Sequence, residues 1–354
     1  MRSVQSDIQE PADVAGLHLP GVSTWHLDDA ASMLFIEPQP GSLATWADAL
    51  AWVSEHRGSL DRILQRSGGI VLRGFPVAGA QDFGMLIDLL GPYDGDYAGG
   101  ASARSKITGN VMEATRLSEE IKIPLHQEMA YLTKYPGRIV FYCHTAAPVG
   151  GETIVADMRA VTQRLPSSVR EKLERHGVMA VRNFAPPPKP GEEEDIADHP
   201  DLRSWKFAFY TDDKNVVEEA CREKGMEPIW NADGTLTVRT LMDAFTTHPE
   251  TGERLYRNVI HVDPASGFSD ALPDERRAKI MKVIERQAMP TGYYLGDGSA
   301  LDAADREALK AIFADLETKW QWHSGDIMLL DNLLTAHGRN PFSGPRDVQV
   351  GLLN

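Results

Sequence analysis

Four short apolar segments, spread over most of the chain, constrain this sequence more than any other feature. They are residues 69–75, 138–145, 325–332 and 347–352, rich in β-branched, aliphatic or aromatic side chains and bounded by Gly, Pro or polar turn residues. Such runs read as strands, the first of them fully buried, and strands so far apart in sequence demand a sheet assembled by long-range pairing. Helix-compatible spacing lies around them, at 43–66, at 81–90 (stopped by Gly91-Pro92), at 270–289 and at 302–319 with Asp302 as N-cap. The stretch from Tyr93 to Gly109 is polar and Gly-rich and reads as loop. The expectation is a mainly β chain with α elements outside it.

Length alone is less decisive. At about 150 residues per domain, 354 residues allow two domains or one large barrel-like enzyme with insertions. Residues 184–202 pass from prolines to a block of acids, the composition of a surface loop, either a solvated linker or a lid over a site. Charge excludes more. With 51 Asp and Glu against 36 Lys and Arg, the net charge of −15 argues against nucleic acid or an anionic membrane as partner. No apolar run reaches the roughly 18 residues of a membrane span. The segment from Met1 to Pro20 lacks a basic-then-apolar signal pattern. Cys143 and Cys221 have neither the number for a disulfide framework nor zinc-ligand spacing. A cytoplasmic protein is expected.

The histidines carry the chemistry. Two imidazoles and one carboxylate on one face of a metal leave the remaining positions open, and His-x-acid on a strand supplies two of the three from one face. The chain contains this pattern at His26, His126, His199, His248 and His261, where composition alone predicts about one or two. His199 and His248 have proline in the middle and read as turns. His26 lacks strand signals on both sides. His261 follows a strand-like stretch, 255–260, and is the rival to His126. Spacing does not choose between these two.

Context does. Ile123-Pro124-Leu125-His126-Gln127-Glu128-Met129 is followed by Phe141-Tyr142 and Gly150-Gly151-Glu152-Thr153. Far downstream come Trp322-His323-Ser324-Gly325-Asp326, Asp331-Asn332, His337-Gly338-Arg339 and Gly344-Pro345-Arg346. In this order the segments closely resemble the taurine dioxygenase/clavaminate synthase-like family of iron(II)- and 2-oxoglutarate-dependent oxygenases, from about Gly69 to the C-terminus. The nearest flavour is the branch that modifies amino acids or carrier-bound aminoacyl groups in natural-product pathways.

The resemblance implies a double-stranded β-helix (jelly-roll) core with surrounding helices, one catalytic domain over 1–354, and residues 184–202 as a mobile loop or lid. It implies Fe(II), 2-oxoglutarate and O₂ as cofactor and cosubstrates. His126, Glu128 and His337 match the metal ligands; for His337 the alternative is a core histidine satisfied by Asp331. Thr153 matches a residue that helps hold 2-oxoglutarate. Arg346, nine positions after His337, matches the arginine that pairs with the cosubstrate's distal carboxylate, a task suited to a guanidinium's parallel donors. Arg339 ranks second for it. Glu128 stands where taurine dioxygenase has aspartate and clavaminate synthase has glutamate; halogenating relatives lack the carboxylate. Hydroxylation or desaturation is therefore expected rather than chlorination.

Substrate contacts are the thinnest part. Asn110, Arg104 and Arg116 precede the metal segment and are candidates, each with a solvated loop residue as the alternative. Gln127 should point away from its two neighbours. His261, His323 and His144 are expected to be structural. The implied partner is an amino-acid-like small molecule, free or presented on a carrier protein. A non-catalytic metal-binding jelly roll is the alternative of a different class; a zinc hydrolase lacks an evident general base.

Overall fold

The structure is a computed structural model that describes residues 19–27, 33–95, 106–114, 117–189, 191, 203–262 and 287–354. Arg104, Arg116, most of 270–289 and all of 192–202 lie outside the described residues.

Two sheets face each other. The larger has eight strands in the order Val22–His26, Leu34–Pro38, Gly69–Leu72, Ile327–Asp331, Arg138–Thr145, Asp347–Leu353, Val111–Glu113 and Lys106–Thr108. The smaller has four: Thr318–Lys319, Thr153–Asp157, Thr335–Arg339 and Ile123–His126. Along the chain, Ile123–His126, Arg138–Thr145 and Thr153–Asp157 alternate between the sheets, and Ile327–Asp331, Thr335–Arg339 and Asp347–Leu353 do so again. That alternation is the winding of a double-stranded β-helix, the jelly roll expected from the sequence. The four apolar segments all become strands of the larger sheet.

Their continuous apolar character has a direct cause. Ile139, Phe141, Cys143, Met328 and Leu330 face the core between the sheets. Their neighbours Val140, Tyr142, Ile327 and Leu329 face the opposite side, where the helices Trp46–Glu55, Arg57–Ser67 and Ala80–Leu90 cover them. A strand covered on both faces has no place for a polar alternate residue. Outside the smaller sheet, Ile154 and Ala156 pack with the helices Met158–Arg164, Ser167–His176 and Ala303–Leu316.

Some local expectations shift. The stretch 43–66 forms two helices that meet at His56, the first started by a Thr45–Asp48 capping box. Asp302 does occupy the N-cap position of Ala303–Leu316, but its side chain makes no cap bond and pairs with Lys172 instead. His26 lies on a strand after all, paired with Leu34.

Between Asp157 and Ile327 the chain inserts a further four-stranded sheet, ordered Glu227–Trp230, Leu236–Met242, Val178–Phe184 and Gly292–Leu295. A hairpin of Phe245–Thr247 and Arg254–Tyr256 accompanies it. Among the described residues no helix is long and apolar enough to cross a membrane.

Candidate metal centre and its cavity

His126 ends the strand Ile123–His126, and His337 is its direct cross-strand partner on Thr335–Arg339. The two rings lie 4.5 Å apart, centroid to centroid. Residue 338 must be small for these strands to meet, since a Cβ there would come within 2.4 Å of the Ile123 carbonyl oxygen. The Nδ1 of His126 lies 2.8 Å from the Pro124 carbonyl oxygen. A carbonyl can only accept, so Nδ1 carries the proton and Nε2 is left with the lone pair that a metal needs.

Glu128 reaches the site by a route the strand rule did not foresee. The strand stops at His126, and Glu128 lies in the turn that follows. Met129, next in line, adopts a left-handed φ of 55°, uncommon for a residue with a Cβ. The i, i+2 alternation therefore does not continue to Glu128. Gln127 is among the residues around the cavity, and its side chain is held by Nε2 donating to the Leu333 carbonyl at 3.0 Å.

One donor atom each from His126, Glu128 and His337 lies within 4.8 Å of the others. His337 Nε2 and Glu128 Oε2 are 3.8 Å apart, too far for a hydrogen bond and consistent with room for an ion. His337 is not satisfied by Asp331, whose carboxylate takes a 2.9 Å bond from His248 instead. The donor set and spacing fit a metal that binds two nitrogens and one carboxylate oxygen.

The triad sits in a cavity of about 250 Å³ that Thr153, Arg339 and Arg346 also line. Thr153 Oγ1 accepts the Trp322 indole N–H at 3.0 Å. An indole only donates, so the threonine keeps its own hydroxyl proton to give. Arg346 donates from Nε to the Gly151 carbonyl at 3.1 Å, and burial lowers its pKa. Residue 151 has φ of 73°, and a Cβ there would lie 3.1 Å from the Arg346 side chain. Gly151 thus serves the arginine's approach as well as the turn.

Arg339 is engaged differently. Its Nη atoms donate to the carbonyls of Leu117, Ser118 and Ile121, and burial, together with the nearby Arg346 charge, lowers its pKa to about 10. The two arginines share the cavity, but Arg339 is committed to the loop before the metal strand.

Asn110 lies outside the cavity lining, exposed and bonded to Asp88 at 2.9 Å. Arg104 and Arg116 fall on residues that are not described. His261 is buried, stacked on Phe313 at 3.9 Å, and donates to the Leu125 carbonyl at 3.0 Å. Burial lowers its pKa to about 4, so it is neutral near pH 7. His144 and His323 are exposed. The sequence reading missed Tyr293, Arg182 and Arg203, which line the cavity from the inserted region and its flanks. It carried no motif signal for them.

A jelly roll with two histidines and a glutamate lining one cavity has the ligand set of the non-haem iron oxygenase class. Residues 36–352 match the model of the taurine catabolism dioxygenase TauD, TfdA family, and the chain belongs to that family. A clavaminate synthase-like protein of Arabidopsis thaliana is 32% identical over 297 residues, 83% of each chain. The dapdiamide synthesis protein DdaC of Enterobacter agglomerans is 28% identical over 295 residues, 83% of this chain and 84% of DdaC. The crystal structure of PvcB from Pseudomonas aeruginosa shares the fold, with a TM-score of 0.50 at 17% identity over 96% of this chain and 94% of PvcB. PvcB is described as an Fe, alpha-ketoglutarate-dependent oxygenase from an isonitrile synthetic pathway. The protein is an iron(II)- and 2-oxoglutarate-dependent dioxygenase that uses O₂.

Proposed function

We propose that this dioxygenase hydroxylates an unactivated C–H bond of an amino acid or amino-acid-derived substrate, free or carrier-tethered, in natural-product biosynthesis. The carrying observation is one cavity that holds the triad His126, Glu128 and His337 together with Arg346 and Thr153. The similarity to DdaC, a dapdiamide synthesis protein, supports the biosynthetic setting.

In this reading His126, Glu128 and His337 hold the iron. What iron and cosubstrate supply there is coupled oxidation: 2-oxoglutarate and O₂ become succinate and CO₂, and one oxygen atom goes to the substrate. Arg346 directs its Nη donors to the cosubstrate's distal carboxylate while Gly151 fixes its Nε. Thr153 would donate a hydrogen bond from its hydroxyl to the same carboxylate. Leu117, Ile123, Phe141, Val181, Val259 and Val348 keep the cavity apolar and exclude water. A retained Glu128 supports oxygen transfer over chlorination.

We read the chain as one catalytic domain, because strands from Val22 to Leu353 join a single sheet. Buried, unbridged Cys143 and Cys221 support a cytoplasmic setting.

The test is a screen of free and carrier-bound amino acids for substrate-stimulated succinate release with Fe(II) and 2-oxoglutarate. A product heavier by one oxygen supports hydroxylation, and loss of two hydrogens would make the enzyme a desaturase. Full substrate-dependent succinate formation by His126→Ala would overturn the ligand assignment.

A further inference from the structure

Glu128 has left the strand ladder, so something else must hold its backbone. Two buried side chains do so from two different parts of the fold. Asn332 is fully buried. Its Oδ1 accepts the Glu128 N–H at 2.7 Å, and its Nδ2 donates to the Glu128 carbonyl at 3.1 Å and to the Pro136 carbonyl at 2.8 Å. The carboxamide thus replaces the neighbouring strand that Glu128 lacks, satisfying both of its main-chain groups. Arg257, also buried, donates to the Met129 carbonyl at 3.1 Å and, from both Nη atoms, to the Leu132 carbonyl at 3.2 Å. Its guanidinium lies 3.3 Å from the Tyr135 ring centroid, and among the described residues its hydrogen-bond partners are carbonyls alone.

These contacts grip the segment that contains the left-handed Met129, a conformation costing about 1 kcal/mol or more that must be held by its surroundings. Asn332 also lies on the turn between Ile327–Asp331 and Thr335–Arg339, and the latter strand carries His337. Asp331 pins that turn by accepting the N–H groups of Leu333 and Leu334, both at 2.9 Å.

We infer that Asn332 and Arg257 are positioning residues that clamp the 127–132 loop and so fix the Glu128 carboxylate relative to His337. The inference rests on the ligand assignment proposed above and adds what sets its geometry. Neither residue touches the metal position itself; Asn332 acts through the Glu128 backbone and Arg257 through the Met129 and Leu132 carbonyls that follow it.

The test uses the full chain and Co(II) as probe, followed by its d–d absorption. The variants are Asn332→Ala, Arg257→Met and Arg257→Lys, with Leu86→Ala as a control, a buried residue of the Ala80–Leu90 helix. Asn332→Ala should weaken Co(II) binding about 10–100-fold, the usual cost of losing a partner behind a ligand, and change the band shape. Arg257→Lys, which keeps the charge but lacks the planar fork of two Nη atoms, should fall between wild type and Arg257→Met. Leu86→Ala should lower Tm in the metal-free chain and leave Co(II) affinity unchanged. Wild-type affinity and spectrum in Asn332→Ala, or an equal loss in Leu86→Ala, would overturn the clamp. If the wild-type chain binds no Co(II), the ligand assignment falls by itself. The clamp is then read in the metal-free chain by amide exchange across 127–132, faster in Asn332→Ala but not in Leu86→Ala; equal exchange in both overturns it.

Discussion

The cavity has two kinds of wall. On the jelly-roll side, the functional groups are fixed by hydrogen bonds to backbone or buried side chains: His126 by Pro124, Glu128 by Asn332, Thr153 by Trp322, Arg346 by Gly151. On the inserted side, Val181, Arg182, Gly292 and Tyr293 project from two paired strands, and Val259 and Val262 follow the hairpin. The first wall has few degrees of freedom, because each functional group is held by a second one. The second is defined by side-chain size and chemistry on a separate sheet. The difference teaches that the geometry of the two walls is set by separable parts of the molecule, so that a change on one need not disturb the other.

The largest effect should come from the fixed wall. His337→Ala or Glu128→Ala is expected to lower substrate-dependent succinate formation by about 10³-fold or more, equivalent to about 4 kcal/mol, with matching loss of Co(II) binding. Retained metal binding in either variant would remove it from the ligand set.

The two arginines should then part company. Arg346→Met is expected to weaken 2-oxoglutarate binding about 100-fold, near the 3 kcal/mol of a charged hydrogen bond, with Tm little changed. Arg339→Met should lower Tm by freeing the Leu117–Ile121 carbonyls, and disturb 2-oxoglutarate affinity less. Calorimetric titration beside thermal unfolding separates them; a reversed pattern would exchange their roles.

Changes on the inserted wall should be smaller and of another kind. Val181→Phe narrows the cavity without touching a ligand, so kcat/KM for the best substrate should fall about tenfold while Co(II) affinity stays at wild type. Equal loss of metal binding would break the separation of the two walls.

The same division decides how much could be read in advance. Alternating strands covered on both faces leave long apolar runs, so the larger sheet was legible at 69–75, 138–145 and 325–332. Ligand chemistry tolerates few residue types, so His126, Glu128, His337 and Arg346 stood out once several segments were matched in order. Met129 and Arg257 did not, because a left-handed turn and a buried guanidinium donating to carbonyls leave no periodicity. Asn332 was visible only as part of Asp331-Asn332, without a role. Tyr293 and Arg182 belong to an inserted sheet whose approach to the cavity depends on long-range packing.

The smallest effect concerns the contacts that tie the two regions together, and they weaken in acid. His261 follows the inserted hairpin yet donates to Leu125 on the metal-bearing strand. Its folded pKa is about 4 because burial disfavours the charged ring, against about 6.5 in an unfolded chain. Between those values the unfolded chain takes up the proton and the folded one does not, so stability is fully present above about pH 6.5 and declines as pH falls toward 4. Glu253, in the inserted hairpin, takes paired 2.7 Å bonds from Arg159, which also donates to the Gln65 carbonyl. Those bonds hold its pKa below the usual carboxylate value, so this contribution is present above about pH 4.3 and is lost below it. A plot of Tm against pH should therefore decline in two stages, the first about 2–4 °C deep and the second, from a partly exposed ion pair, shallower. His261→Phe should start lower at pH 7, having lost the Leu125 bond, and run flatter from 6.5 to 4. Glu253→Gln should leave that stage intact and flatten the next. A His261→Phe curve parallel to wild type would mean that the imidazole does not sense the junction.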